Sequence, residues 1–168
     1  MYFAGLDTRG DPVWTNSEPL AATLFSPPGP ACMGELSVTF NRYLQKWLML
    51  YNCDSPRGIN FRVSEAPWGP WSPPRVLFDP GLISDGGDGG YCQSMHYQNG
   101  SACPPGSPNP SDNLVIGGPN RWGGEYGPYV VDQLTVGDEA AKRTTIFFTM
   151  STWNPYQVVL MKSTLQQW

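Results

Sequence analysis

Hydrophobic residues recur along the chain in short runs that predict β-strands. Two of the runs, 35–40 and 59–63, alternate apolar with polar residues, the pattern of strands with one buried face. Between them, 47–51 is apolar throughout, as expected of a strand covered on both faces. A fourth run, 75–78, follows a stretch rich in proline and glycine. Four consecutive antiparallel strands with short connections predict one blade of a β-propeller.

The same order of strands recurs along the chain, which indicates an internal repeat. A Gly-Glu pair opens each of the two fuller copies, at Glu35 in the first and at Glu125 in the second. For the second copy we predict strands at 128–136, which includes Asp132, and at 145–150 and 157–161. For a partial copy at the start of the chain we predict strands at 2–6, 13–16 and 22–25.

This repeat predicts an all-β chain of about two and a half four-stranded blades in a single partial propeller domain. The 19 glycines and 18 prolines agree with it, because both residues disfavour helices. A β-sandwich is the alternative, since its strands would be spaced similarly. The predicted parts are a partial blade at 1–25, a full blade at 34–78, a long loop at 79–121 and a second blade at 122–168.

Charge and hydropathy exclude two classes of partner. With 14 acidic and 10 basic residues, the formal net charge is −4, whereas nucleic-acid binding requires a basic surface. The sequence contains no run of 18 apolar residues, so we predict no membrane span. Aromatic residues make up 13% of the chain, which gives ample apolar area for a folded core.

Four cysteines suggest an oxidising compartment. Cys32 and Cys53 flank the open end of the predicted hairpin 35–52 and could be bridged, while Cys92 and Cys103 could close a short loop. Two disulfides would predict a secreted or periplasmic protein. The alternative is that all four are buried free thiols.

Several strings resemble a family of five-bladed propellers that includes endo-D-arabinanases. They are Gly34–Val38, Trp47–Asn52, Pro67–Ser72, Glu125–Tyr129 and Ser151–Met161. The resemblance implies that the chain corresponds to about the C-terminal half of that fold. It further implies a glycoside hydrolase that acts on an arabinan-like cell-wall polysaccharide through carboxylate acid/base catalysis. The alternative function is a non-catalytic carbohydrate-binding module.

Three residues are candidates for catalysis. Glycoside hydrolysis commonly uses two carboxyl groups, one as acid and one as base or nucleophile. Glu35 and Glu125 begin the innermost strands of their copies, where propellers bind ligands at the rim of the central funnel. His96 is the only histidine and is a candidate proton carrier, although a lone histidine is more often structural.

Aromatic residues and one arginine are candidates for substrate binding. Sugar rings have apolar faces that stack on aromatic side chains. Arg57 could hold a sugar hydroxyl or carboxylate, or pair with Asp54 instead. The predicted substrate-binding residues are Arg57, Trp122, Tyr126, Tyr129 and Trp153.

We expect no metal cofactor. The run that contains Asp85 and Asp88 could offer oxygen atoms to calcium, but its spacing departs from that of an EF-hand loop. A flexible glycine loop explains the run better.

The incomplete set of blades predicts self-association. Open strand edges and apolar faces favour contact with another chain. We therefore expect a homo-oligomer, most simply a dimer whose two halves complete a five-bladed ring.

Overall fold

The computed structural model describes residues 1–25, 33–54, 57–79, 125–152 and 157–166, and these ranges form an all-β structure without an α-helix. The strands are β1 (Tyr2–Leu6), β2 (Pro12–Thr15), β3 (Leu36–Asn41), β4 (Lys46–Asp54), β5 (Arg57–Ser64), β6 (Arg75–Phe78), β7 (Glu125–Val130), β8 (Val136–Asp138), β9 (Arg143–Thr152) and β10 (Gln157–Gln166). Two short 3-10 helices occupy Glu18–Leu20 and Asp132–Leu134. Within the described ranges, no helix is long and apolar enough to cross a membrane.

The chain divides into two compact units, Met1–Ala31 and Cys32–Trp168. The first contains the antiparallel hairpin β1–β2, in which the rings of Phe3 and Trp14 meet edge to face at 6.0 Å. The strand predicted at 22–25 is wrong. Ala22 donates one backbone hydrogen bond to the Phe3 carbonyl at 2.8 Å, and residues 23–25 are not part of a β-ladder.

The second unit begins with a four-stranded antiparallel sheet in the order β3-β4-β5-β6. All four strands predicted between residues 34 and 78 form, and they pair with their neighbours in sequence. Pairing along the chain follows from the short connections, because consecutive antiparallel strands need only a tight turn between them.

The other sheet of this unit has β9 at its centre, with β10 along one edge and both β7 and β8 along the other. The single strand predicted at 128–136 is therefore wrong. It is interrupted by the 3-10 helix Asp132–Leu134, in which the Leu134 N–H donates to the Val131 carbonyl at 3.0 Å. The prediction that Asp132 lies inside a strand is also wrong, because Asp132 is exposed at the start of this helix.

The two sheets enclose a common hydrophobic core. Its largest fully buried side chains include Phe148, Ile146 and Met150 on β9 and Leu48 and Leu50 on β4. The further buried members are Leu44, Ile59, Phe61, Val130 and Leu165. Burying a side chain of this size stabilises the fold by roughly 1.5–3 kcal/mol.

The registers of the two sheets are consistent with the repeat that the sequence predicts. One constant shift along the chain converts residue pairs of β4–β5 into residue pairs of β9–β10. The pair Trp47–Ser64 becomes Ile146–Ser163, and the pair Tyr51–Asn60 becomes Met150–Val159. By the same shift, the core residue Leu50 corresponds to Thr149. Thr149 lies between the core residues Phe148 and Met150 along β9, so its side chain points to the opposite face of the sheet.

With this alignment, we call the two faces of each sheet the front face and the back face. The front face carries Leu48 and Leu50 in the first sheet, and Phe147 and Thr149 in the second. The back face carries Met49 and Tyr51, and correspondingly Phe148 and Met150. In the core, the front face of the first sheet packs on the back face of the second.

One buried hydrogen bond fixes how the sheets are aligned. The side chain of Asn41, at the end of β3, donates to Thr144 Oγ1 at 3.2 Å near the start of β9. Since β7 is antiparallel to β9, its C-terminal end points toward this contact. The N-terminal ends of β3 and β7 consequently lie together at the opposite end of the sheet pair, where Glu35 and Glu125 are found.

Candidate functional site

Glu125 is the first residue of β7 and is only 6% exposed. It lies opposite Thr152 on β9, which places it in the same alternation as Met150 on the back face of the second sheet. Because that face packs on the first sheet, the carboxyl group is directed into the space between the sheets. A carboxyl group at such a position is held in a defined orientation and shielded from bulk water.

Asn52 faces this space from the first sheet. Its backbone N–H donates to the Glu35 carbonyl at 3.3 Å, and its carbonyl accepts from the Gly34 N–H at 3.0 Å. Gly34 and Glu35 thus both lie opposite Asn52, which is the pattern of a β-bulge just before β3 begins. Asn52 Oδ1 is buried and has no hydrogen-bond partner among the described residues.

Glycine is required at position 34 by the close approach of Asn52. A Cβ atom there would lie 2.6 Å from Asn52 Oδ1 and 2.7 Å from its Cγ, well inside van der Waals contact. The absent side chain lets the amide of Asn52 pack directly on the backbone that precedes β3. Glu35, the next residue, has an exposed side chain, in contrast with buried Glu125.

Ser37 adds a second buried oxygen on the front face of the first sheet. It is 9% exposed, lies opposite Leu50, and its Oγ has no hydrogen-bond partner among the described residues. Buried polar atoms without partners are uncommon and each needs an explanation, such as a ligand or water. Ser37, Asn52 and Glu125 together give a buried carboxyl and two unpartnered oxygens between the same two sheets. These groups are suited to binding a hydroxyl-rich molecule.

Tyr126 and Tyr129 lie on the other side of the second sheet from Glu125. Tyr126 pairs with Ser151 and Tyr129 with Thr149, so both belong to the front face. A bulge between them, at Gly127 with φ of +59°, keeps two residues three apart on one face. Tyr129 is 65% exposed. These two predicted sugar-binding residues therefore come together with each other but apart from Glu125.

The other predicted site residues fall at the margin of the described structure or outside it. Arg57 is the first residue of β5 and pairs in register with Asp54. The residues outside the described ranges are His96, Trp122, Trp153, Cys32, Cys92, Cys103, Asp85 and Asp88. Cys53 is 7% exposed and disulfide-bonded, while both predicted cysteine pairings stay predictions. The described residues contain no cluster of three or more groups suited to a metal ion.

Ser37 and Asn52 were not among the residues predicted from the sequence. Serine and asparagine are common in strands and turns, and nothing in their spacing distinguishes them. One signal could have pointed to Asn52. It directly follows the apolar run 47–51, and a polar side chain at the end of a buried strand is costly unless it has a partner.

Two cavities lie elsewhere in the second unit. One of about 310 Å³ is bordered by Phe61 and by residues of β6 and β10. Another of about 510 Å³ is bordered by residues of β8 and β9 together with Thr164. Neither is lined by Glu35 or Glu125, so neither adds to the candidate site.

Comparison with known proteins gives a family but no activity. No curated protein matches the chain. A family model does match, over residues 1–162, which is nearly the whole length, and its description is a domain of unknown function, DUF4185. The chain therefore belongs to the DUF4185 family.

Proposed function

We propose that this chain is part of a β-propeller glycoside hydrolase that acts on an arabinan-like cell-wall polysaccharide. The observation that carries the proposal is the buried carboxyl of Glu125, which shares the space between the sheets with the unpartnered oxygens of Ser37 and Asn52. Sugar hydroxyl groups both donate and accept hydrogen bonds, so they could satisfy the oxygens of Ser37 and Asn52 and also contact the carboxyl group.

The packing of the sheets supports the propeller arrangement. In a sandwich, two sheets bury their inner faces and present polar residues on their outer faces. Here the front face of one copy packs on the back face of the next, which is how successive members of a repeating stack are arranged. Further blades on either side would continue the same contact.

The two glutamates suit different roles in hydrolysis. Glycosidases separate an acid from a base by placing the two carboxyl groups in different environments. Glu125 is buried, whereas Glu35 is exposed, and both lie at the end of the sheet pair where β3 and β7 begin. We assign Glu125 and Glu35 as the catalytic pair, with the sugar bound at that end.

The test is product release from a panel of arabinan, xylan and mixed glucans. We expect Glu125→Gln and Glu35→Gln each to lower hydrolysis at least about 100-fold, the usual contribution of acid/base catalysis. Glu139→Gln, at an exposed turn between β8 and β9, is the matched control and should retain full activity. Unfolding curves must show that all three variants are folded. Full activity in both site variants would remove these residues from the mechanism.

A non-catalytic binding module is the second candidate function. Tyr126 and Tyr129 favour it, because they present aromatic surface on the face of the sheet opposite to Glu125. In that case no product would appear from any polysaccharide, while affinity for one of them would persist. Tyr129→Ala would then abolish the binding that Glu125→Gln leaves unchanged.

The proposed substrate implies a secreted or periplasmic protein, since cell-wall polysaccharides lie outside the cytoplasm. The disulfide-bonded state of Cys53 supports this location, because structural disulfides persist in oxidising compartments.

A further inference from the structure

The acidic and basic residues of the second unit are unevenly distributed along its strands. Glu35 and Glu125 lie at the end of the sheet pair where β3 and β7 begin, which we call the acidic end. Asp79 directly follows β6, which is antiparallel to β5 and therefore ends where β5 begins, at the same end. Asp54 and Arg57 pair in register there, at the turn between β4 and β5. The described part of this end therefore holds four acidic residues and one basic residue.

Residues outside the described ranges do not reverse this balance. Arg121 precedes Glu125 by four residues, so we count it at the acidic end as the least favourable case. Four acidic and two basic residues then give a formal net charge of −2. The segment 80–120 contains Asp85, Asp88 and Asp112 but neither lysine nor arginine, so it adds only negative formal charge.

The opposite end of the sheet pair, where Asn41 lies, carries no net formal charge among the described residues. Its four basic residues are matched by four acidic residues, and Lys46 forms an ion pair with Glu65. The basic residues are Arg42, Lys46, Lys142 and Arg143, and the acidic residues are Glu65, Asp132, Asp138 and Glu139. The two ends of the sheet pair therefore differ in charge.

The three remaining basic residues of the second unit lie too far along their strands to neutralise the acidic end. Arg62, Arg75 and Lys162 are at least four residues from it, about 13 Å at about 3.3 Å per residue. The Debye length is about 8 Å at physiological ionic strength, so exposed charges at that separation are largely screened. Arg62 is also buried, where it donates to the Tyr51 hydroxyl at 3.0 Å and to the Ser72 carbonyl at 2.6 Å. The field at the acidic end is therefore set by its own carboxylates.

We propose that the acidic end selects uncharged saccharide chains and rejects chains that carry carboxylate or sulfate groups. This inference rests on the proposed function, because it requires the sugar to bind at that end. The buried Ser37 hydroxyl, which is without a hydrogen-bond partner among the described residues, points to a hydroxyl-rich ligand there. Such a ligand is not repelled by Glu35, Glu125 and Asp79, whereas an anionic substituent is.

The strength of this selection follows from Coulomb's law. Two like unit charges about 10 Å apart in water weaken binding by about twofold. A net charge of −2 therefore weakens binding by about fourfold for each anionic group that the ligand brings to this end. Salt screens this repulsion but leaves a mismatch in shape nearly unchanged, so the dependence on salt distinguishes the two causes.

The experiment compares, by calorimetry, the affinity of the full chain for two derivatives of arabinan. Carboxymethyl arabinan carries negative charges, and hydroxyethyl arabinan with the same degree of substitution is its neutral match. At about 0.02 M salt we expect the chain to bind the carboxymethyl polymer at least about fourfold more weakly. At about 0.5 M salt, where the Debye length is about 4 Å, the difference should fall below about twofold.

Variants that each remove one charge locate the selection. Glu35→Gln changes an exposed side chain and Asp79→Asn a half-buried one, and each should reduce the difference at low salt to about twofold. Glu139→Gln, at the uncharged end of the sheet pair, is the matched control and should keep the difference at about fourfold.

Equal affinity for the two derivatives at low salt would overturn the charge selection. A difference that salt does not change would also overturn it, as would one that Glu139→Gln reduces as much as Glu35→Gln does. If the chain hydrolyses arabinan in any of these cases, the proposed function still stands. If neither arabinan nor its derivatives bind, the proposed function and the charge selection are both wrong.

Discussion

The two ends of the space between the sheets differ in how their buried polar groups are satisfied. At the end where β3 finishes, Asn41 is 2% exposed and its Oδ1 accepts the backbone N–H groups of Tyr43 at 3.1 Å and Leu44 at 3.0 Å. Its amide nitrogen donates to Thr144, whose hydroxyl in turn donates to the Val136 carbonyl at 3.2 Å. At the end where β3 begins, Ser37 and Asn52 bury oxygens without partners among the described residues.

This difference indicates that the two ends serve different purposes. The network of Asn41 and Thr144 rigidifies the fold, because each lost partner would expose a buried group to the full cost of desolvation. The neighbouring Thr135 Oγ1 is the exception at this end, since it is buried without a partner among the described residues. Unsatisfied groups cost stability and are retained where they serve another purpose, such as binding a ligand. We infer that the Asn41 end holds the two sheets together and that the Asn52 end binds.

Substitution of the two asparagines by alanine should give the largest contrast. Asn41→Ala removes three hydrogen bonds and leaves two backbone N–H groups unpaired, so we expect a loss of about 2–4 kcal/mol in the free energy of unfolding. Asn52→Ala removes an oxygen without a partner and should change the same quantity by less than about 0.5 kcal/mol. Urea unfolding measures both, and equal losses would contradict the comparison.

Alanine in place of glycine should have the next largest effect. A Cβ atom at Gly137 would lie 2.8 Å from the Tyr43 ring and 2.9 Å from Thr144 Cα, so a packed ring and the backbone must move. We expect Gly137→Ala to cost about 1–3 kcal/mol, and Gly34→Ala to cost less because only the Asn52 side chain is in the way.

The control for this pair is the double variant Gly34→Ala with Asn52→Ala. It should be no less stable than Asn52→Ala alone, because the obstructing amide is gone. Thermal unfolding measures the coupling, and an undiminished cost in the double variant would show that backbone strain, not Asn52, requires glycine at position 34.

Removal of single hydroxyl groups should give a smaller contrast in the same direction. Thr144→Val keeps the shape of the side chain but removes a hydroxyl that both accepts and donates, which should cost about 1–2 kcal/mol. Ser37→Ala removes an unpartnered hydroxyl and should change stability by less than about 0.5 kcal/mol. If Ser37→Ala proves the more damaging of the two, the Ser37 hydroxyl has a structural partner.

The turn between β1 and β2 tests whether a satisfied hydrogen-bond network stabilises the fold when it is not buried. Asp7 accepts the backbone N–H groups of Asp11 at 3.0 Å and Arg9 at 2.8 Å, but it lies in a surface turn with its side chain partly exposed. These backbone hydrogen bonds, that of Asp11 first, lower the pKa of Asp7. A lowered pKa in the folded state adds stability above the unfolded pKa, and this stability is lost as the pH falls through the folded pKa.

We therefore expect Asp7→Asn to change the free energy of unfolding least of all these variants. The change should be visible as a reduced pH dependence of hairpin stability at acid pH. NMR titration of the Asp7 carboxyl gives the folded pKa directly. An unshifted pKa would show that the turn hydrogen bonds are too weak in water to favour the charged form.

The strand pattern of the chain could be predicted from sequence because it depends on local chemistry. Alternation and continuous apolar runs identified β3 to β6, and the Gly-Glu repeat located the starts of β3 and β7. The errors came from local competition that the pattern does not show. The 3-10 helix Asp132–Leu134 interrupts an apolar stretch that reads as one strand, and residues 22–25 form no ladder.

The candidate site depended on the tertiary structure. The sequence by itself determined the all-β class, and it predicted a repeat with a glutamate near the start of each copy. It did not show that Glu125 is buried and Glu35 exposed, or that Ser37 and Asn52 lie on the face that packs on the second sheet, because these relations depend on how one sheet packs on the other. The strand register decides which residues share a face, and a shift of one residue would move every side chain to the other side. The packing of front face on back face, which the sequence does not specify locally, places the carboxyl and the two oxygens between the same two sheets.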